Sequence, residues 1–472
     1  MTRPTVVYSC VTDQSPLFAH QTTIWASTLL TYGGQRADSV VVHAVESCNS
    51  GLAQFLGTLG VKPVLVPPFD GRHPHSNKLV QLESSRLASA DYVVLCDCDI
   101  AFCGDISGSI SGDTLRARRV GVANLTLEQW SRLYAEAGLE RPGETVAAVL
   151  DGRPTMPTYC NGGLLIVPNE AFRLLTRAWP MWNRWLLERL SLLSPFEYFT
   201  DQVSLALACA ELELEVDELP LDLNCPTQVQ LDRHVTAGLQ PMVLHYHEHL
   251  DRAGLLLPSG TPTIDHHINR VNDLVRSMRR NYFDNQLFWE FRYAFFPEAG
   301  SGVGSRGDNL RAKRAWLAGE LRALEPISIL DIGCGDLEVS QELECQSYIG
   351  VDVSDRAIAL ARAKRPDWDF VVGDARDVTL AAADLVLCLD VLIHQPTRDL
   401  YESLCLRLME LADRHLIVAG YNQRPWLTSA TTSYHEPLTA TLQRLGETGE
   451  LRIVGGYRDI TLVCWSRSRH GV

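Results

Sequence analysis

The chain has 472 residues, 46% hydrophobic and 21% charged, an ordinary globular composition that excludes a disordered chain, a collagen-like repeat and a disulfide-dense scaffold. A single core rarely grows beyond about 250–300 residues, so two or three domains are expected. Lys and Arg number 42 against 57 Asp and Glu, a net charge of −15, and no Lys/Arg-rich run offers a footprint for nucleic acid or an anionic membrane.

The 13 cysteines are odd in number and scattered, with only Cys96, Cys98 and Cys103 near one another. Neither paired zinc knuckles nor a disulfide framework can be read from that spacing, so unpaired thiols in a reducing compartment are expected. Met1 to Cys10 lacks the charged-then-apolar pattern of a signal peptide, and no 18 apolar residues run together. The expectation is a soluble, cytoplasmic protein with no integral membrane segment; its oligomeric state is open.

In chain order, the first strand signals are Thr5-Val6-Val7-Tyr8-Ser9, Ser39-Val40-Val41-Val42-His43, Pro63-Val64-Leu65-Val66 and Tyr92-Val93-Val94-Leu95-Cys96. Helical stretches over 17–31, 50–59 and 77–88 separate them, so they read as βαβ units around a largely parallel, buried sheet. Gly163-Leu164-Leu165-Ile166-Val167, a Trp-rich helix over 170–191, a helix around 201–212 and a strand at Met242-Val243-Leu244-His245-Tyr246 follow.

The strand at 92–96 runs into Asp97-Cys98-Asp99. Two acids at i and i+2 with a small residue between them can turn toward one divalent cation, and oxygen ligands favour Mg²⁺ or Mn²⁺. Around this pair stand Asn77-Lys78, Tyr159-Cys160-Asn161-Gly162-Gly163, Thr200-Asp201-Gln202, Leu219-Pro220-Leu221-Asp222-Leu223-Asn224-Cys225 and His245-Tyr246-His247. In that order the segments resemble nucleotide-sugar-dependent glycosyltransferases of the GT-A fold, most closely the glycogenin-like retaining group, over roughly residues 1–260. The resemblance implies a nucleotide-sugar donor and a glycan or glycoside acceptor. It makes Asp97, Asp99 and His245 metal ligands, with His247 the alternative on the same strand face. It assigns Asn161, Gly162, Asp201 and Gln202 to the donor sugar and puts Thr12, Asp13 and Lys78 near the nucleotide.

The group's Gly-x-x-Lys-Pro-Trp tail is absent; residues 249–254 read His-Leu-Asp-Arg-Ala-Gly instead. Both stereochemical outcomes therefore stay open. A retaining reaction assisted by the leaving phosphate needs no enzyme nucleophile, whereas an inverting one needs a base, for which Asp201 is the candidate. Plain structural roles are the competing readings: a helix N-cap for Asp201-Gln202 and a strand-end histidine for His245.

From about 264 to 296 a polar amphipathic helix gives way to an aromatic stretch containing Tyr282, Phe283, Phe288, Trp289, Phe291, Tyr293, Phe295 and Phe296. A glycine-rich loop, Gly300 to Gly307, follows, and a second βα series begins at Ile327.

In that series Ile329-Leu330-Asp331-Ile332-Gly333-Cys334-Gly335 is a strand entering a Gly-x-Gly turn, and Tyr348-Ile349-Gly350-Val351-Asp352 is a strand ending in an acid. Glycines let a ligand approach the backbone at the carboxyl end of one strand, while an acid ending the next accepts hydrogen bonds from ribose hydroxyls. With Phe370-Val371-Val372-Gly373-Asp374 and Ala383-Asp384-Leu385-Val386-Leu387-Cys388-Leu389-Asp390, these elements resemble the class I S-adenosylmethionine-dependent methyltransferases over about residues 300–472. A dinucleotide dehydrogenase wants a third glycine where Glu338 stands. The resemblance implies S-adenosylmethionine as cofactor, with Asp331, Gly333 and Gly335 at its methionine part, Asp352 at its ribose and Asp374 beside its adenine. His394, after the fourth strand, is a candidate general base, and His435 is its rival. The loop Tyr421-Asn422-Gln423-Arg424-Pro425-Trp426 has the polar and aromatic mixture that suits a sugar ring, and Arg306 is a candidate contact to an anionic group.

The fold expected is α/β in two domains: a GT-A-type nucleotide-diphospho-sugar fold over 1–262 and a Rossmann-like seven-stranded methyltransferase fold over 299–472, joined by a helical, aromatic linker over 263–298. The function expected is a bifunctional transferase, using Mn²⁺ or Mg²⁺ for sugar transfer and O-methylating a sugar hydroxyl in the making or capping of a polysaccharide. The alternative is methylation of a small natural product or a protein, with the first domain an inactive glycan-binding module.

Overall fold

A computed structural model of the chain describes residues 4–231, 233–236, 238–426, 429–446 and 449–468. The apolar β-branched runs of the first half form β1 (Val6–Thr12), β2 (Val40–Val45), β3 (Val64–Val66), β4 (Tyr92–Cys96), β5 (Ile100–Phe102) and β6 (Leu115–Arg119). A short hairpin of β7 (Val146–Ala147) and β8 (Pro154–Thr155) precedes β9 (Cys160–Pro168), β10 (Val216–Glu218), β11 (Cys225–Pro226) and β12 (Val243–His245).

Seven of these strands form one sheet in the order β10-β6-β9-β4-β1-β2-β3. β1 runs parallel to β2 and β4, while β9 is antiparallel to β4 and β6. Tyr8, Val42, Val94 and Ile166 are completely buried, as expected of central strands covered on both faces. A smaller sheet, β11-β12-β5, stands apart. In it β12 pairs antiparallel with β5 and sets His245 opposite Ile100, the residue after Asp99.

The helix expected over 77–88 is instead a 3₁₀ helix, Pro74–Glu83, followed by a four-residue α-helix, Ser85–Ala88. The Asn77 side chain accepts from the Phe69 N–H at 3.0 Å, and Ser84 is extended between the two pieces. The Trp-rich helix runs Asn169–Leu187 and packs on helix Thr200–Glu211. Trp179 Nε1 donates to the Asp201 carbonyl at 2.9 Å and to Ser204 Oγ at 3.1 Å, which locks the start of the second helix.

Contacts divide the chain into two units. One runs to Asp251 and includes Leu255–Leu274; the other holds Arg252–Gly254 and the chain from Val275 onward. The linker expected over 263–298 is therefore shared out. Helix Pro262–Asn281 contributes to both units, and the aromatic helix Asn285–Phe295 belongs to the second. That helix buries Leu287, Phe288, Phe291 and Tyr293, an apolar face that needs a core rather than solvent.

The second unit holds β13 (Ser328–Ile332), β14 (Ser347–Asp352), β15 (Asp369–Val372), β16 (Ala383–Leu389), β17 (Ala412–Tyr421), β18 (Gly449–Tyr457) and β19 (Ile460–Arg467). Their order is β15-β14-β13-β16-β17-β19-β18. The first five are parallel, and β19 returns antiparallel to both its neighbours. Alternate residues feed two cores, Leu330, Val386 and Cys388 on one face and Ile329, Leu385 and Leu387 on the other. Strand order reverses between β13 and β16, a switch point where the carboxyl ends of a doubly wound sheet leave a crevice.

All the cysteines are free, and all but Cys48 and Cys345 are buried. Among the described residues no helix is long and apolar enough to cross a membrane.

Candidate active sites

In the first unit, the pairing of β12 with β5 brings the late histidines to the Asp-x-Asp turn. His245 Nε2 lies 3.3 Å from Asp99 Oδ1, and His247 Nδ1 lies 3.4 Å from Asp99 Oδ2. The ligand atoms of Asp99, His245 and His247 all fall within 4.8 Å of one another. Asp99 Oδ1 and His245 Nε2 are buried without a hydrogen-bond partner, an orphaned pair of the kind a bound cation satisfies. Burial alone would raise Asp99, but His245 and His247 outweigh it and hold the carboxyl well below the usual range. One carboxylate and two imidazoles fit a divalent transition ion such as Mn²⁺ better than Mg²⁺, which prefers all-oxygen shells.

His245 Nδ1 donates to Asn224 Oδ1 at 3.0 Å, and Asn224 Nδ2 donates to Asn161 Oδ1 at 2.9 Å. This chain fixes the tautomer that leaves Nε2 facing Asp99. The glycine after Asn161-Gly162 is sterically required: a Cβ on Gly163 would stand 2.5 Å from His245 Cε1. Asn224 is not among the residues the sequence marks as candidates; its signal is an asparagine in the short loop before β11.

Asp97, expected as a metal ligand, is not a member of that cluster. Its Oδ1 takes the buried Lys78 ammonium at 2.5 Å, and Lys78 also donates to the Gly162 carbonyl. Asp201 completes this second group, since a Cβ on Gly162 would lie 2.6 Å from Lys78 Nζ, 3.4 Å from Asp201 Oδ2 and 3.8 Å from Asp97 Oδ2. Burial pushes Asp201 up to about 6, with Lys78 opposing. Gln202 follows on the same helix, half-buried. Thr12 ends β1 with its buried Oγ1 unpartnered, and Asp13 Oδ1 accepts from the Ser15 N–H at 2.7 Å.

In the second unit, an open cleft lies at the switch point. Asp331, Gly333, Asp352, Asp374, Asp390 and His394 are among its walls, as are Asn285, Trp289 and Tyr293 from the aromatic helix. Gly333 has φ 75°, a left-handed turn that keeps the backbone open to a ligand. Asp352 accepts from the Gly335 and Ser354 N–H groups at 3.0 and 2.9 Å, and burial pushes it up to about 6. The Asp331 carboxylate is committed through Oδ2 to Ser340 at 2.6 Å and Tyr348 at 2.7 Å. Asp374 is held by Arg376, which outweighs its burial and lowers it.

The two histidines part company. His394 lines the cleft and donates from Nδ1 to the Thr431 carbonyl at 2.6 Å, so Nε2 keeps its lone pair; burial lowers its pKa and keeps the ring neutral. His435 is not among the cleft residues, and its Nε2 donates to the Gln395 carbonyl at 2.9 Å. Nor does Arg306 line the cleft; it pairs with Asp336 at 3.0 Å. A trio not evident from the sequence reaches the cleft wall through the partly exposed Asp390. Lys313 is fully buried with Nζ 2.6 Å from Asp390 Oδ2, and Tyr457 hydroxyl donates to Asp390 Oδ1. An acid directly after the fourth strand was the one visible sign of it.

Residues 16–213 match the family described as Rhodobacterales glycosyltransferase domain, and residues 329–409 match the methyltransferase domain family. The chain joins a glycosyltransferase domain to a methyltransferase domain. Both transferase activities follow from these matches, and the two α/β folds agree with them. No curated protein matches the chain.

Among solved structures, the chain is similar to magnesium protoporphyrin IX methyltransferase from Synechocystis PCC 6803, at 22% identity over 41% of this chain and 99% of that one, TM-score 0.31. It is also similar to the N-methyltransferase NodS from Bradyrhizobium japonicum WM9, at 16% identity over 34% and 88%, TM-score 0.30. A third is an amino pentose methyltransferase from Micromonospora echinaspora, at 17% identity over 35% and 94%, TM-score 0.29.

Proposed function

We propose that the glycosyltransferase domain moves a sugar from a nucleotide-sugar donor to a glycan or glycoside with the aid of a divalent cation, and that the methyltransferase domain O-methylates a sugar hydroxyl with S-adenosylmethionine. The observation that carries the first half is the convergence of Asp99, His245 and His247 with two orphaned ligand atoms between them. These residues would hold the cation, which supplies charge neutralisation for the departing diphosphate. Lys78 adds a second positive charge beside Asp97, kept protonated because Asp97 and Asp201 outweigh its burial. Asn161, Gly162, Asp201 and Gln202 are assigned to the donor sugar, with Thr12 and Asp13 toward the nucleotide. Asp201, with its raised pKa, is the proton acceptor should the reaction invert the sugar.

In the methyltransferase domain the cofactor supplies an electrophilic methyl group. Asp352 is assigned to ribose hydroxyls, Asp374 to the adenine side, and the turn at Gly333 and Gly335 to the methionine part. His394 takes the acceptor hydroxyl proton on Nε2, with the Thr431 carbonyl holding the ring in the required tautomer. His394 is favoured over His435 because it alone of the two lines the cleft. The second catalytic domain includes the helix Asn285–Phe295, whose Asn285, Trp289 and Tyr293 contribute to that wall. Sugar transfer and methylation of one product would place both steps in the making or capping of a polysaccharide.

The test is a mass-spectrometric screen of sugar nucleotides against a panel of glycans with S-adenosylmethionine, with and without chelator. A sugar increment that needs metal, followed by a methyl increment, is expected. Methylation without any metal-dependent consumption of sugar nucleotide would make the first domain a glycan-binding module instead.

A further inference from the structure

Two walls of the first site share a repeat that the donor assignment leaves unused. Lys78 sits on the 3₁₀ helix Pro74–Glu83, in which side chains three apart eclipse one another, so His75 stands on the same side one turn outward. Asp201 sits at the start of helix Thr200–Glu211, immediately after the 3₁₀ turn Glu197–Phe199, and Tyr198 precedes it by the same three residues. The inner members of both pairs, Lys78 and Asp201, surround Gly162. Their outer members meet: the His75 and Tyr198 rings lie 3.9 Å apart between centroids, tilted by 54°.

Tyr198 is 59% exposed, and its ring also meets Phe199 edge-on at 5.2 Å. Its surroundings are acidic. Partial burial, followed by the charges of Asp97, Asp99, Asp201 and Glu248, pushes its phenol up to about 12. Burial and the neighbouring His73 lower His75, which leaves a neutral imidazole with one donor and one acceptor nitrogen. An aromatic plate with neutral hydrogen-bonding groups, ringed by carboxylates, suits a ring that is apolar on its C–H face, hydroxylated at its edge and uncharged.

We infer that Tyr198 and His75 form the acceptor subsite of the glycosyltransferase domain, a platform on which a neutral sugar ring stacks while its hydroxyl faces the donor bound over Lys78, Asp201 and the cation. This rests on the donor-site reading above. Tyr198 acts by positioning the acceptor and takes no part in bond making. Anionic acceptors such as uronic acids are disfavoured by Glu248 and Asp201, the carboxylates of this set that form no ion pair with Lys78 or the two histidines.

The test uses the full-length protein with the sugar nucleotide found active in the screen and with neutral nitrophenyl glycosides as acceptor probes, nitrophenyl glucuronide serving as the charged counterpart. Tyr198→Ala is expected to raise the acceptor KM about tenfold while the donor KM moves less than twofold, and Tyr198→Phe to restore the wild-type acceptor KM. His75→Ala is expected to raise the acceptor KM severalfold in the same selective way. An unchanged acceptor KM in Tyr198→Ala, or a glucuronide used as well as the neutral glycosides, overturns the platform alone. Wild-type protein that consumes no sugar nucleotide in a metal-dependent way overturns the donor reading and the platform with it.

Discussion

Lys313 offers the sharpest test of how the methyltransferase cleft is built. Its side chain is completely buried, and Nζ lies 2.6 Å from Asp390 Oδ2, 3.4 Å from Ser305 Oγ and 4.8 Å from the centre of the Tyr457 ring. Lys313→Met keeps most of the aliphatic stem and removes the charge, leaving Asp390 with only the Tyr457 hydroxyl. Breaking a buried ion pair from one side costs roughly 3–5 kcal/mol. The Asp390 side chain retains 19% exposure, so water recovers part of the loss and about 2–3 kcal/mol is expected. For a unit of this size that is about 4–12 °C in Tm. Differential scanning calorimetry of the full chain measures it, the transition being assigned by its shift with S-adenosylhomocysteine. Adding Asp390→Asn removes the uncompensated charge, so the double variant is expected to be more stable than Lys313→Met. A single variant within about 1 °C of wild type, or a double variant showing the sum of the two losses, would refute the idea that the pair is held together by charge.

The Asp201 carboxyl, raised from 3.8 to about 6 by burial, binds a proton in the folded state more tightly than in the unfolded one, so its contribution to stability declines as pH rises from about 4 to 6. Asp201→Asn should therefore raise the unfolding free energy at pH 7.5 by up to roughly 3 kcal/mol and leave it nearly unchanged at pH 4; an equal gain at both pH values would sink the burial argument. His394 is lowered by burial, so methyl transfer is expected to rise with pH through a midpoint below 6.5 and then level off, and His394→Gln should lose that inflection along with about a hundredfold in rate. Asp352→Ala should weaken S-adenosylmethionine binding by roughly 1.5–3 kcal/mol in calorimetry, the worth of hydrogen bonds to a charged group; an unchanged affinity would remove the ribose assignment.

How far the sequence could be read depends on the range of the interaction involved. Strands such as 92–96 coincide with β4 because short β-branched runs between helices encode buried strands locally. The Asp-x-Asp turn, the Asn-Gly-Gly segment and the glycine turn at 333–335 were visible for the same reason, since each is a contiguous pattern. Which acid meets the histidines was not visible, because Lys78, 19 positions before Asp97, pairs with Asp97 while Asp99 meets His245 and His247. The support of His245 by Asn224 and the burial of Lys313 against Asp390 likewise join residues 21 and 77 positions apart. The helical stretch over 77–88 is divided at Ser84, whose extended backbone the periodicity does not register.

The pairing of β12 with β5 also bears on the order in which the protein becomes functional. Every strand of the large first sheet ends by Glu218, before Val243 begins β12. A chain emerging during synthesis can thus complete that sheet while holding Asp99 alone, and the two imidazoles arrive only when the last strand docks across a long loop. The proposed cation site would therefore form only after that sheet, and a truncation before residue 240 is expected to yield an ordered sheet that takes up no metal.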